Sequence, residues 1–188
     1  MQKQKSASGS GAAMAAAVAP ISSVEYVLKQ AETAEKFCQA LAKLFAVRRN
    51  EVALLQLEKG LLRFLCPAEL KTAGAIPISS SNAIAAHTAS TKKVEVFNGF
   101  AKVKHASVFE TVKLTNPEAS EEPEYATIQK LMSAPVVDPN KKVLGVVQIC
   151  RKGCDAATAG PDFTQDDVRQ LETAAEILAK TPFMKAAK

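Results

Sequence analysis

Four cysteines and two histidines are the side chains here best suited to metal, haem or nucleophilic chemistry. Cys150 and Cys154 stand at C-x3-C spacing with no second pair, so local motifs assemble no four-ligand zinc site. His87 falls in an alanine-rich helical stretch and His105 follows eighteen residues later. A lone imidazole of this kind could serve haem, but it reads first as a half-exposed or pocket-lining side chain. Cys66 and Cys150 lie in or beside strands with no neighbouring base, the pattern of buried structural thiols. No G-x-S-x-G, P-loop or pair of catalytic carboxylates occurs, and Glu118, Glu121 and Glu122 sit in a proline-flanked loop that reads as solvated surface. Gln148 is different in kind: it is polar within an otherwise apolar strand. A buried carboxamide there needs partners, which loop backbone or a ligand could equally supply.

The elements that position these residues are legible in the spacing. Val24, Val27, Leu28, Ala31, Ala34, Cys38, Leu41 and Phe45 recur at helical intervals over about six turns. Ser22 and Glu25 have capping-box spacing, and Arg48 and Arg49 follow where positive charge suits the helix dipole. Two β-rich runs, Val52–Leu57 and Leu61–Leu65, flank Glu58-Lys59-Gly60, whose glycine suits a tight hairpin. Ser79–Thr91 reads as a short helix with a serine cap, and Val94–Phe97 as a brief strand. Residues 98–112 have no clear period, and 116–124 form a loop between Pro117 and Pro123. Leu131–Val137 and Val143–Cys150 form an antiparallel hairpin around Asp138-Pro139-Asn140. Thr164 with Asp167 opens a last helix buried through Val168, Leu171, Ala175 and Leu178, and Pro182 stops it. This order predicts an α/β chain of the α+β kind: an antiparallel sheet with helices packed on it.

The chain has 188 residues, 47% of them hydrophobic, enough for one domain with a real core. Residues 1–20 read as a flexible tail, 21–182 as the domain and 183–188 as a C-terminal tail. The net charge of +5 is scattered, and Lys92-Lys93, Lys102 with Lys104, and Lys141-Lys142 never extend into a run. Nucleic-acid binding is therefore not expected. No apolar run reaches a membrane span, and a cytoplasmic location is expected.

The residues from Leu131, L-M-S-A-P-V-V-D-P-N-K-K-V-L-G-V-V-Q-I-C-R-K-G and then F-T-Q-D-D-V-R-Q-L-E-T-A-A, resemble the C-terminal half of GAF domains. Upstream, G-L-L-R-F-L and A-I-P-I-S-S-S-N-A-I-A-A-H-T-A resemble that family's second strand and first sheet-facing helix. Gly145 fits the pattern physically by letting another element approach the central strand. The resemblance spans about Ser22 to Lys180. It implies a GAF/PAS-like central antiparallel sheet with the N- and C-terminal helices on one face and a ligand pocket on the other. The implied pocket residues are Phe64, Asn82, His87, Phe109, Met132, Ser133 and Gln148.

The resemblance does not fix a cofactor, and none is assigned. Members that bind cyclic nucleotides often carry N-K, a loop, F, three residues and D-E. Here Arg151, Lys152, Phe163 and Asp167 stand at those places, and Arg151 and Val168 depart from the pattern. A bilin would lack its aromatic walls in a chain with no Trp and two Tyr. Members that reduce free methionine sulfoxide use cysteines in the central loop region, whereas this chain has none between Cys66 and Cys150. The expectation is a sensory domain, not an enzyme, that binds a small molecule and forms a homodimer through its terminal helices. It would signal to a separate output protein, since the chain ends soon after the last helix. The alternative is a dimerisation or docking module with a filled pocket.

Overall fold

The computed structural model describes residues 21–102 and 127–185, with side chains from Glu25 onward. Along the chain run α1 (Ile21–Lys29), α2 (Ala34–Leu44), β1 (Val52–Glu58), β2 (Leu61–Cys66), β3 (Ala75–Pro77) and α3 (Ile84–Thr91). Then come β4 (Glu95–Phe97), β5 (Thr127–Val137), β6 (Val143–Gly153) and α4 (Gln165–Leu178). The strands form one antiparallel sheet ordered β3-β2-β1-β6-β5-β4. The α+β class expected from the sequence is the one observed.

The hairpin of β5 and β6 holds the centre. The Lys142 amide donates to Asp138 Oδ1 at 2.8 Å and the Asp138 amide to the Lys142 carbonyl at 2.9 Å, closing the turn. That closure sets the register in which Met132 opposes Ile149 and Ser133 opposes Gln148. Because side chains alternate along a strand, this register assigns every residue of the hairpin to one face. Between β1 and β2, Lys59 and Gly60 both take positive φ, 49° and 78°, as a tight hairpin turn requires.

One face of the sheet presents Val52, Leu54, Met132, Val147 and Ile149 to α1, α2 and α4, which bury Leu28, Phe37, Leu41, Leu171 and Leu178 against it. The other face presents Leu55, Leu62, Phe64, Leu131, Val146 and Cys150 to Ala85 and Ala89 of α3 and to Phe100. At Gly145 an added Cβ would run into the Leu55 carbonyl oxygen and lie 2.7 Å from Met184 Cε. The missing side chain is what lets Met184 seat against the sheet.

Several local expectations change. The single long helix is two, because Thr33 takes extended backbone (φ −128°) and its hydroxyl accepts from the Lys36 amide at 3.2 Å. The third helix starts at Ile84, with Ala83 at the cap position and no side-chain cap, in place of a serine. Strand β3 was not foreseen; it is three residues at the sheet edge ending in proline. Phe183 and Met184, beyond the boundary drawn at Pro182, pack in the core, and Gln56 donates to their carbonyls at 3.3 and 3.4 Å. The capping box at Thr164 is present as read, with the Asp167 carboxylate accepting from the Thr164 amide at 2.7 Å. The expected N-terminal tail, the Ser22 side chain, His105, Phe109 and the 116–124 loop lie outside the described residues.

Candidate functional site

Among the described residues, a line of polar side chains crosses the largely apolar face covered by α3. Gln148 Nε2 donates to Ser133 Oγ at 3.1 Å, directly across the β5–β6 pair. Ser133 Oγ lies 2.8 Å from Thr88 Oγ1, and Thr88 Oγ1 lies 2.8 Å from Glu95 Oε2. The other carboxylate oxygen, Oε1, is 2.8 Å from His87 Nδ1. Each hydroxyl has one proton and the carboxylate only accepts, so the donors order themselves. Gln148 donates to Ser133, Ser133 to Thr88, Thr88 to Glu95, and His87 Nδ1–H to Glu95.

This line runs from the interior to solvent. Ser133 and Thr88 are wholly buried and Gln148 nearly so, the Glu95 side chain is 16% exposed and that of His87 59%. Local structure explains the convergence. His87 and Thr88 are adjacent on α3, and the helix ends three residues later at Thr91, followed by Lys92 in a left-handed conformation (φ 57°). The Lys92 ammonium donates to the Lys141 carbonyl at 2.7 Å, tying the end of α3 to the β5–β6 turn. Strand β4 pairs Glu95 with Ser133, which brings the carboxylate to α3. The imidazole sits beyond the carboxylate, not between it and a hydroxyl, so the order is not that of a Ser-His-acid triad. The Gln148 carboxamide bonds Ser133 through its nitrogen, and its oxygen has lone pairs with which to accept a further hydrogen bond.

Of the seven residues nominated from the sequence, Gln148, Ser133 and His87 join in this line. Phe64 lies on the same face, packed in its apolar core. Met132 does not belong: alternation along β5 turns it to the opposite face, beneath the terminal helices. Asn82 is exposed in the loop before α3, and Phe109 lies outside the described residues. Thr88 and Glu95 were missed. A threonine inside an Ala-rich helix and a glutamate opening a short strand signal nothing alone, and only the pairing of β4 with β5 joins them.

A second feature lies on the helix-covered side. An open cleft of about 790 Å³ runs between the C-terminal half of α2 and the end of β2, and none of the seven nominated residues lines it. Cys38 and Cys66 are among its lining residues, together with Glu35, Lys43, Arg48, Arg49 and Glu69. The Cys66 thiol, together with burial, holds the Cys38 thiol well above its ordinary range. Across the rim, Lys71 Nζ meets Glu35 Oε1 at 2.7 Å, and this hydrogen bond holds the Glu35 carboxyl below the usual carboxylate range.

Among the described residues, no cluster of three or more His, Cys, Asp or Glu side chains could hold a metal ion. No described helix is long and apolar enough to cross a membrane.

The family model described as GAF domain matches residues 31–181. Among solved structures, the chain is similar to the GAF domain of an Acinetobacter phosphoenolpyruvate-protein phosphotransferase. The identity is 12% and the TM-score 0.58, covering 85% of this chain and 87% of that one. A GAF sensor protein from Burkholderia vietnamiensis aligns at 12% identity and TM-score 0.57 over 88% and 92% of the two chains. A free methionine-R-sulfoxide reductase of Staphylococcus aureus, in complex with its substrate, aligns at 15% identity and TM-score 0.54 over 85% and 91%. No curated protein matches the sequence. The reductase corrects one expectation. Cysteine placement was taken to make the chain no enzyme, yet the same fold carries an enzyme, so the fold gives no ground for that exclusion.

Proposed function

The chain belongs to the GAF domain family, and from that premise we propose that it is a sensory domain whose small-molecule ligand is read on the α3 face of the sheet. One observation carries the proposal: an unbroken hydrogen-bonded line from Gln148, in the middle of an apolar face, to solvent at His87. A polar line through a core costs desolvation at every member, and a purely structural role asks only that each member be satisfied. The Gln148 carboxamide oxygen can accept a hydrogen bond beyond the one its nitrogen makes to Ser133. A ligand bearing a hydrogen-bond donor would complete it, and occupancy would be transmitted through Ser133 and Thr88 to α3 and the exposed His87.

Native mass spectrometry of the freshly purified chain tests this reading. Wild type should retain an added mass, and Gln148→Leu, which keeps the volume and removes the acceptor, should lose it while melting within a few degrees of wild type. Added mass retained equally by both would remove Gln148 from recognition, and bare protein in both would favour the second reading.

That second reading is a docking or dimerisation module. It draws on α1, where Tyr26 is 66% and Val27 55% exposed, an unusual amount of apolar surface for a helix otherwise anchored by Leu28. Tyr26→Glu should lower the dimer fraction in the same spectra if that surface joins two copies. Charged substitutions at Leu28 or Leu41 would not test it, because both side chains are buried in the chain's own core.

A further inference from the structure

Cys38 of α2 and Cys66 at the end of β2 are 28 positions apart, yet both line one open cleft and pack in the same buried cluster. The other two cysteines are placed differently. Cys150 is fully buried on the opposite face of the sheet, and Cys154 is exposed with no thiol beside it among the described residues. The cleft's charged lining is Lys43, Arg48 and Arg49 against Glu35 and Glu69. Glu35 is engaged by Lys71 at the rim, and Arg48 reaches Glu51 and the Lys152 carbonyl. Lys43 and Arg49 make no ion pair among the described residues and are exposed, and with Glu69 the one exposed carboxylate set against them, the mouth keeps a net positive charge for an anionic visitor.

We infer that Cys38 and Cys66 form a redox pair that an anionic low-molecular-weight disulfide, entering this cleft, converts to an intramolecular disulfide. Cys66, the less deeply buried of the two at 7% exposure against 3%, is the first to attack. The Cys66 thiolate attacks one sulfur of the incoming disulfide. The S–S bond breaks, and one half leaves as a thiolate that takes up a proton. Cys38, having lost its own proton, then attacks the Cys66 sulfur of the mixed disulfide and expels the second half. Two electrons pass from the cysteine sulfurs to the disulfide, and two protons finish on the two released thiols. The product cross-links α2 to β2 across the cleft. It thereby links the state of the helix-covered face to the redox poise around the protein. This inference is independent of ligand binding on the α3 face.

The test uses the full chain carrying Cys154→Ser, which removes the exposed competing thiol, with oxidised glutathione as the probe. After the reaction, remaining thiols are alkylated in denaturant and peptides are mapped without reduction. A linked peptide pair joining Cys38 and Cys66, with the protein lighter by two hydrogens, is the expected result. In the same background, Cys38→Ser should halt as a glutathione mixed disulfide at Cys66, whereas Cys66→Ser should leave Cys38 alkylated. Arg49→Glu should slow the reaction with oxidised glutathione several-fold and leave that with neutral hydroxyethyl disulfide unchanged. Recovery of both thiols free in the parent protein would overturn the pair, whatever the variants do. Modification of Cys38 in Cys66→Ser as fast as Cys66 reacts in the parent would overturn the order of attack. Equal slowing of both probes by Arg49→Glu would overturn the anionic specificity.

Discussion

On one face of the sheet, three helices bury Leu28, Phe37, Leu41, Leu171 and Leu178 against β-branched and aliphatic side chains. On the other, the one α-helix packed there among the described residues is the short α3, which contributes Ala85, Ala86 and Ala89 beside a buried threonine. The helices of the first face are fastened at their ends. Thr33 caps α2, Thr164 and Asp167 cap α4, and Arg151 donates to the Phe45 and Ala46 carbonyls at the end of α2 while lying over the Phe163 ring. Helix α3 has no side-chain cap at its start and is held instead through hydrogen bonds of Thr88, Ser90 and Lys92. Large apolar side chains give the first face its stability, which is non-directional and tolerant of what is bound nearby. The second face adds to its own apolar cluster a line of directional polar contacts, each sensitive to a single missing partner. A fold that must stay folded while responding to a ligand gains from this division.

The division can be broken or sharpened by substitution. The largest effect is expected from Phe37→Ala, which empties a fully buried site between α2 and the Phe183 ring, at 6.2 Å between centroids. Urea unfolding should show a loss of about 3–5 kcal/mol. A loss below about 2 kcal/mol would mean the helix-covered face is not where stability resides. Ser133→Ala comes next, because it removes the Ser133 bond from both Gln148 and Thr88 and leaves Thr88 its bond to Glu95. It should cost about 1–3 kcal/mol, with a coupling to Thr88→Val in a double-mutant cycle. Additive behaviour would mean the line is not a unit.

Thr33→Ala removes only the α2 cap and should cost about 1 kcal/mol, with hydrogen exchange quickening first at the start of α2. Glu35→Gln should have the smallest effect, since its bridge to Lys71 is well exposed on both sides. The Glu35 pKa is lowered in the folded chain, chiefly by the hydrogen bond from Lys71. Its contribution is therefore present above the unfolded-state value and lost as pH falls through the folded one. The variant should be less stable at neutral pH by no more than about 1 kcal/mol, and by less still at high salt. The two proteins should converge in acid. A difference that survives acid would point to packing, not charge.

The sequence alone determined the family resemblance, the α+β class, the central hairpin and the capping box of α4. Each depends on neighbours within a few residues: alternation along Leu131–Val137 and Val143–Cys150, the Asp138 turn, and Thr164 with Asp167. It also singled out Gln148, because a polar side chain in an apolar run stands out without any tertiary knowledge. It overran the break between α1 and α2, since Val24 to Phe45 keeps a helical stripe straight through Thr33 and only the backbone reveals the cap. It misplaced Met132 by one step of strand alternation, because a strand buried on both faces carries no apolar–polar pattern to say which side faces which helix. Thr88, Glu95 and Ser133 lie on three elements, and Cys38 and Cys66 on two, so their meetings exist only once strand order and helix placement are fixed. Periodicity reports what a residue's neighbours in the chain are doing. Chemistry between distant residues waits for the sheet to bring them within hydrogen-bond reach.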